Sequence, residues 1–369
     1  MDAGSQSLPE DIIRNILSRI PAKSLLRFQC VSKQWKSLIK TPSFIAEHLR
    51  QQSPCLLFPR RGECLPFGLH LLDCEMQVRP VQEPSSDSGS TVVRRASIVG
   101  SINGLLCVRI VASTRSVSFF LWNPAIQELR MSPALSGSDK GHSNVGFGFS
   151  PIVNDYKIVI LWSSGSPVEV YSIISGTWKV VEPEVSKGIR VCSVLVRPSV
   201  TANGAIFWLG KKDGVGVIVS FDIALELFTF IPLPAAADPL WCSRLVIYEN
   251  KLALFIKRSL SDNSKSEWID FWVMDERDVV ASSSSYGERW GWTRKFNTAF
   301  PGNAYPLRIW KNGIICAVYE RVSELSAREE TEPGITLFNV TTGELGTVVI
   351  HDSYKCFDYV ESLVPIGGK

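Results

Sequence analysis

Two hydrophobic periodicities divide this chain of 369 residues. Over Leu8–Leu49 apolar residues recur every three or four positions, the spacing of one helix face. Pro9 suits a first helical turn, and Glu10 and Asp11 complement its dipole. Ile12, Ile13, Ile16, Leu17 and Ile20 then form one stripe. Pro21 disfavours helical geometry at Ile20 and ends the helix there. Ser24 is placed to cap a second short helix carrying Leu25, Leu26 and Phe28, and Ser32 a third carrying Trp35, Leu38 and Ile39. Thr41-Pro42, a cap followed by proline at the first helical position, opens a last one with Phe44, Ile45 and Leu49. Three to four short helices are therefore expected, followed by β-structure.

The β-region repeats. An apolar pair followed by a small or polar residue gives a signature ending at Asp73, Asn123, Ser172, Asp222, Val273 and Asn339, in steps of 50, 49, 50, 51 and 66 residues. The long last step contains the Glu-rich stretch Ser323–Gly334. Upstream of each lies a turn residue leading into a strand: Pro54-CLLF, Asn103-GLLCV, Asp155-YKIVIL, Asn203-GAIFW, Asn250-KLALF and Asn312-GIICAV. Asn-Gly is a strong tight-turn signal because both central residues of that turn need positive φ. Six residues after Asn123, Ser172, Asp222 and Asn339 come Leu129, Trp178, Phe228 and Leu345, each opening another strand. Three or four strands per unit of about 50 residues predict a propeller of the kelch kind, because each sheet has apolar faces that only stacked neighbours bury. Six blades fill residues 54–350, and Tyr359–Val364 is expected to return as a strand that completes the first. The rival is a β-sandwich with coincidental spacing. The expected domains are 1–50, helical, and 51–369, all-β.

Some 40 residues in short helices bury little surface, and such a unit is usually completed by a neighbour or a partner. It is either a helical cap on the β-body or a docking module. Charge leaves room for an acidic partner there: residues 1–49 hold seven Lys/Arg against four Asp/Glu, which equals the +3 of the whole chain. The near-neutral remainder argues against a nucleic-acid surface built on phosphate contacts. No stretch reads as a signal peptide or a membrane span, so a cytoplasmic or nuclear location is expected. Nine cysteines without a CxxC read as small buried hydrophobes of a reducing compartment.

Catalytic and metal signatures are thin. His48, His70, His142 and His351 have no metal spacing. There is no GxSxG, GxGxxG or phosphate-cradling GxxxxGK[ST]. Asp270, Asp275, Glu276 and Asp278 read as a solvated acidic loop. No catalytic residue, metal or cofactor is expected. Trp241, Trp290 and Trp292 fall in loop-like contexts, where aromatic rings make good recognition anchors.

The N-terminal stretch resembles an F-box, through Leu8-Pro9, Ile12, Ile16-Leu17, Arg19-Ile20-Pro21, Lys23-Ser24-Leu25-Leu26-Arg27, Cys30-Val31-Ser32-Lys33, Trp35 and Leu38-Ile39. The remainder is similar to the F-box-associated domain of plant F-box proteins, through SINGLLCV at Ser101–Val108, LWNP at Leu121–Pro124, VGFGFSPIVNDYKIV at Val145–Val159, VEVYSIISGTW at Val168–Trp178, ANGAIFWL at Ala202–Leu209, VSFDIALELFTFIPLP at Val219–Pro234, FWVM at Phe271–Met274 and YVESLV at Tyr359–Val364. The paired glycines of kelch repeats are absent, so the kelch likeness is one of period alone. The resemblance implies a non-catalytic substrate-receptor subunit of a Skp–cullin–F-box ubiquitin ligase. Leu8, Pro9, Ile12, Ile16, Leu17, Leu25, Leu26, Val31, Trp35 and Ile39 would be divided between the module's core and the surface for a Skp-type adaptor, which links to a cullin. The β-domain would hold a target protein for ubiquitination and proteasomal degradation. Two alternatives stand: an S-locus F-box protein of pollen that recognises secreted ribonucleases, and a ligand-binding β-propeller with no ligase role.

Overall fold

The computed structural model describes all residues except 1–7, 61–67, 82–92, 113–115, 137–142, 163–166, 182–188, 192–197, 235–242, 260–266, 277–289, 312, 319–333, 348, 352, 354 and 368–369. Four helices come first: α1 (Glu10–Ser18), α2 (Ala22–Phe28), α3 (Lys33–Ile39) and α4 (Pro42–Gln51). The Ser32 hydroxyl accepts from the Trp35 N–H at 3.0 Å, and the Thr41 hydroxyl accepts from the Phe44 N–H at 3.3 Å, so the last two caps lie where the sequence puts them. Ser24 is not a cap. The helix starts two residues earlier, at Ala22, with Pro21 as its N-cap, because proline's fixed φ pre-forms the first turn without a side-chain acceptor.

Six antiparallel sheets follow. Blade 1 contains β1 (Cys55–Pro59), β2 (Leu69–Leu72) and β3 (Val78–Pro80). Blade 2 contains β4 (Val93–Ile102), β5 (Leu105–Ala112), β6 (Ser116–Asn123), β7 (Glu128–Met131) and the short β8 (Leu135–Ser136). Blade 3 contains β9 (Ser143–Ser150), β10 (Asp155–Trp162), β11 (Val168–Ser172) and β12 (Thr177–Val181). Blade 4 contains β13 (Ile189–Val191), β14 (Val200–Ala202), β15 (Ala205–Lys212), β16 (Val215–Asp222) and β17 (Leu227–Pro232). Blade 5 contains β18 (Ser243–Tyr248), β19 (Lys251–Ser259), β20 (Glu267–Glu276) and β21 (Trp290–Phe300). Blade 6 contains β22 (Ala304–Trp310), β23 (Gly313–Val318), β24 (Gly334–Asn339) and β25 (Ile350–His351). The chain then returns as β26 (Phe357–Tyr359), which pairs with β1 in the register Cys55–Tyr359 and Leu57–Phe357 and closes the ring. The closing strand is thus shorter and earlier than the expected Tyr359–Val364.

The side-chain period of two explains why the second strand of each blade is almost continuously apolar. In β10, Ile158 and Ile160 face blade 2, while Val159 and Leu161 face blade 4. The same division repeats around the ring, with an apolar cluster at every blade junction, the sixth joining Ile315 and Ile335 of blade 6 to Leu56 and Phe58 of blade 1. Cys55, Cys107, Cys316 and Cys356 belong to these junctions, whereas Cys30 and Cys74 are exposed.

In most blades both repeat signatures mark turns; Pro54 merely precedes β1, and Asn312 lies outside the described residues. Asn103, Asn154, Asn203 and Asn250 adopt positive φ between the first two strands of their blades. Asn123, Asp222 and Asn339 head the third turn of theirs. Each side-chain oxygen accepts from the N–H two residues on, at 3.0, 2.8 and 2.8 Å. The positive φ that closes the turn falls four residues after the head, at Gln127, Glu226 and Gly343, and in blade 3 at Gly176, four residues after Ser172. The signature ending at Val273 is different: β20 runs on to Glu276, so it lies within a strand.

That extension corrects the acidic loop. Asp270, Asp275 and Glu276 are strand residues, and Asp278 lies outside the described residues. Asp270 is buried and held by Arg258 at 2.8 Å and the Asn297 amide at 2.7 Å. Asp275 pairs with Lys251 at 2.9 Å.

Candidate functional site

The helical module builds its core from one side of each helix. Leu17, Ala22, Leu25, Leu38, Ile39 and Phe44 are buried together, with Ile13, Ile20, Phe28 and Trp35 packed around them. Polar ties lock α1 to α4. The Arg14 guanidinium donates to Glu47 at 2.6 Å, and the Ser18 hydroxyl donates to Gln51 Oε1 at 3.1 Å. His48 is fully buried, stacks on Phe44 and hydrogen-bonds the Ile20 carbonyl through Nε2 at 2.9 Å. Burial holds its imidazole below the usual histidine range, partly offset by that bond and by Glu361. Its Nδ1 has no hydrogen-bond partner, which fits the neutral ring.

The ten residues expected at a docking surface separate into three groups. Leu17, Leu25 and Ile39 fill the core and have no face left for a partner. Leu26 and Trp35 are half-buried. Leu8, Pro9, Ile12, Ile16 and Val31 are exposed. Helix geometry makes this division: Ile13 and Leu17 share the inward line of α1, while Ile12 and Ile16 share the neighbouring outward line. Leu8 lies just ahead of the helix, before its N-cap Pro9. Exposures of 57% for Leu8, 46% for Ile12, 50% for Ile16 and 63% for Val31 are large for aliphatic side chains in so small a unit. Arg19, Lys23, Arg27, Lys33, Lys36 and Lys40 are exposed on the same module.

The aromatic candidates on the propeller fare differently. Trp241 lies outside the described residues. Trp290 and Trp292 are not in a loop: both are on β21, half-buried against the junction of blades 4 and 5, because the β20–β21 pairing extends to Glu276–Trp290. The Trp292 ring N–H donates to the Pro232 carbonyl of blade 4 at 2.9 Å. Trp178 makes the same kind of tie from blade 3 to Pro133, at 3.0 Å.

What the sequence did not disclose is how the module attaches. Leu363, six residues from the C-terminus, is buried in the module's core, and Ala125 and Ile126 of the β6–β7 turn pack against it. The only sequence signal is that Leu363 to Ile366 stay apolar after the last strand.

Among the described residues, no group of three or more His, Cys, Asp or Glu side chains is placed to hold a metal ion, and no helix is long and apolar enough to cross a membrane. Buried thiols are pushed up by desolvation, Cys356 to about 12, which leaves them protonated.

Comparison with known proteins places both halves. Residues 5–46 match the model of the F-box domain, and residues 73–287, more than half of the chain, match that of the F-box associated beta propeller domain. The F-box protein CPR1 of Arabidopsis thaliana is 26% identical over 97% of this chain and 89% of its own length. An F-box/kelch-repeat protein of the same plant is 24% identical over 97% of this chain and 95% of its own. Among solved structures, the periplasmic gluconolactonase of Pseudomonas aeruginosa aligns over 83% of this chain and 99% of its own, at 10% identity and a TM-score of 0.42, too distant to bear on function.

Proposed function

The chain belongs to the F-box proteins that carry an F-box-associated β-propeller domain, and from that premise we propose that it is the substrate receptor of a Skp–cullin–F-box ligase that delivers a target protein for ubiquitination and proteasomal degradation. The observation that carries the reading is the outward line Ile12–Ile16 of α1 with Leu8 just ahead of it, exposed in an otherwise well-filled module. We assign this line, with Pro9 and Val31 and the half-buried Leu26 and Trp35, to the Skp-type adaptor. The exposed lysines and arginines beside it suit an acidic adaptor.

The proposed target surface is the propeller face away from the F-box. Antiparallel order puts the first and third turns of each blade at one end, and the F-box sits at that end, on the β6–β7 turn. Most long connections, including 81–92, 233–242 and 319–333, leave the other end. Trp241 belongs to one of them. Trp290 and Trp292, half-exposed at the blade 4–5 junction, open β21 beside the third turn of blade 5 and so lie toward the F-box end, where we propose them as a separate aromatic anchor. The chain's part in the reaction is proximity. Holding a target lysine beside a loaded conjugating enzyme makes the transfer effectively intramolecular. Its site of action is then the cytoplasm or nucleus.

Capture of a purified Skp-type adaptor by the full chain tests the assignment. Leu8→Ala with Pro9→Ala is expected to abolish capture without lowering the melting temperature. Undiminished capture by that double variant would reject the assignment.

A further inference from the structure

We infer that residues 360–367 are a working part of the F-box, a latch that completes its core and fixes it to blade 2 so that handle and propeller move as one body. After closing blade 1, the chain crosses the β4–β5 turn. A Cβ on Gly104 there would lie 2.3 Å from Ser362 Cβ and 2.6 Å from the Val360 carbonyl oxygen. Asn123, which heads the β6–β7 turn, donates from its buried amide to the carbonyls of Ser362 at 3.1 Å and Val364 at 2.8 Å. Its Oδ1 meanwhile accepts from the Ala125 N–H at 3.0 Å, so one side chain shapes the turn and holds the tail. The Ile366 N–H donates to Glu128 at 2.9 Å, and Arg130 donates to the Gly367 carbonyl at 2.7 Å.

The apolar side chains divide. Leu363 enters the F-box core, while Val364 and Ile366 enter the junction of blades 2 and 3. Adjacent residues of one tail segment thus serve two cores. Glu361 lies near enough to bias the buried His48 of α4. The tail is therefore a seam between the two domains, and Asn123 and Leu363 are positioning residues for the docking surface.

Hydrogen exchange on the full-length chain tests this without any partner. Leu363→Asp is expected to cut amide protection in α2–α4 at least tenfold while β5 and β6 keep theirs, and Leu363→Met is expected to restore it. A second variant acts from the propeller side. Gly104 and Gly204 occupy equivalent turns at φ +78 and +76, but a Cβ at Gly204 would meet nothing closer than 3.5 Å. Both alanine variants carry the backbone cost, and only Gly104→Ala displaces the tail. Loosening of α2–α4 in Gly104→Ala but not in Gly204→Ala supports the latch. Unchanged exchange in both Leu363→Asp and Gly104→Ala overturns it.

A second readout rests on the receptor reading. In a reconstituted ligase, the lysines of the chain that become ubiquitinated are mapped by mass spectrometry. Wild type is expected to give a narrow set on the propeller, and Gly104→Ala a set at least twice as broad at equal adaptor affinity. An identical set in the two contradicts the latch. Failure of wild type to bind the adaptor rejects the receptor reading and leaves the exchange result standing.

Discussion

The propeller and the F-box solve the same problem of apolar burial in opposite ways. Each blade has two apolar faces and two neighbours, and the β1–β26 pairing removes the last open junction. The F-box has too few residues to enclose itself. It borrows Leu363, Ala125 and Ile126 from the rest of the chain, yet still leaves Leu8, Ile12, Ile16 and Val31 in solvent. The propeller exposes aliphatic side chains too, such as Ile152, Ile174 and Leu225, but these stand at hairpin tips. Ile12 and Ile16 instead share one face of a helix, with Leu8 just ahead of it and Val31 on the same module. A self-sufficient scaffold next to an incomplete one is the arrangement expected of a receptor that must be assembled before it acts.

The largest expected effects come from cutting each core. Phe44→Ala and Phe271→Ala both remove a buried phenyl ring, at a cost of about 3–5 kcal/mol. In the F-box this exceeds what a small module can spare, so hydrogen exchange should show α1–α4 open with the propeller intact. Phe271→Ala should instead lower the melting temperature of the whole ring. Joint melting of helices and propeller in Phe44→Ala would break the contrast.

Next comes the buried cation of the blade 3–4 junction. Lys157 donates to the Ile223 carbonyl at 2.8 Å and to Glu226 at 2.7 Å, and Glu226 also holds Lys179 at 2.6 Å. Lys157→Met should cost roughly 1.5–3 kcal/mol in chemical denaturation, the range for hydrogen bonds to charged groups. Removing the exposed Lys179 should cost under about 1 kcal/mol. Equal losses would refute the burial argument.

Much of this was legible in the sequence. The six units appeared because their turns demand special residues: Asn103, Asn203 and Asn250 for positive φ, and Asn123, Asp222 and Asn339 for turn-capping. The F-box caps Ser32 and Thr41 were legible for the same local reason. Leu363 was not, because Leu-Val-Pro-Ile in an extended tail reads the same whether it pairs in a sheet or fills a seam. Nor could spacing separate Leu17 from Ile16, since adjacent residues of one broad stripe face different ways only once the helix has a neighbour. Blade 5 misled because β20 carries three residues past its signature.

A smaller effect follows from His48. Its folded pKa lies below that of the unfolded chain, so its neutral form contributes stability that is present above about pH 6.5 and lost as pH falls below it. Protection factors in α4, corrected for the intrinsic pH dependence of exchange, should therefore fall as pH drops below about 6.5, while those of β19 and β23 stay constant. His48→Gln should flatten that dependence; a dependence retained in the variant would assign it elsewhere. Smaller still is Thr41→Ala, which removes an N-cap worth about 1 kcal/mol and should fray only the start of α4 in the same exchange measurement.

The account turns on whether the outward line of α1 is a binding surface, and titration calorimetry with a purified Skp-type adaptor asks this directly. Ile12→Ser with Ile16→Ser removes two half-exposed side chains, whose further burial is worth roughly 1 kcal/mol each. The predicted result is adaptor binding weakened at least tenfold, with melting temperature and α1 exchange unchanged. Wild-type affinity in that double variant would contradict the assignment of this surface, and with it the division of the module into a borrowed core and a face kept open for a partner.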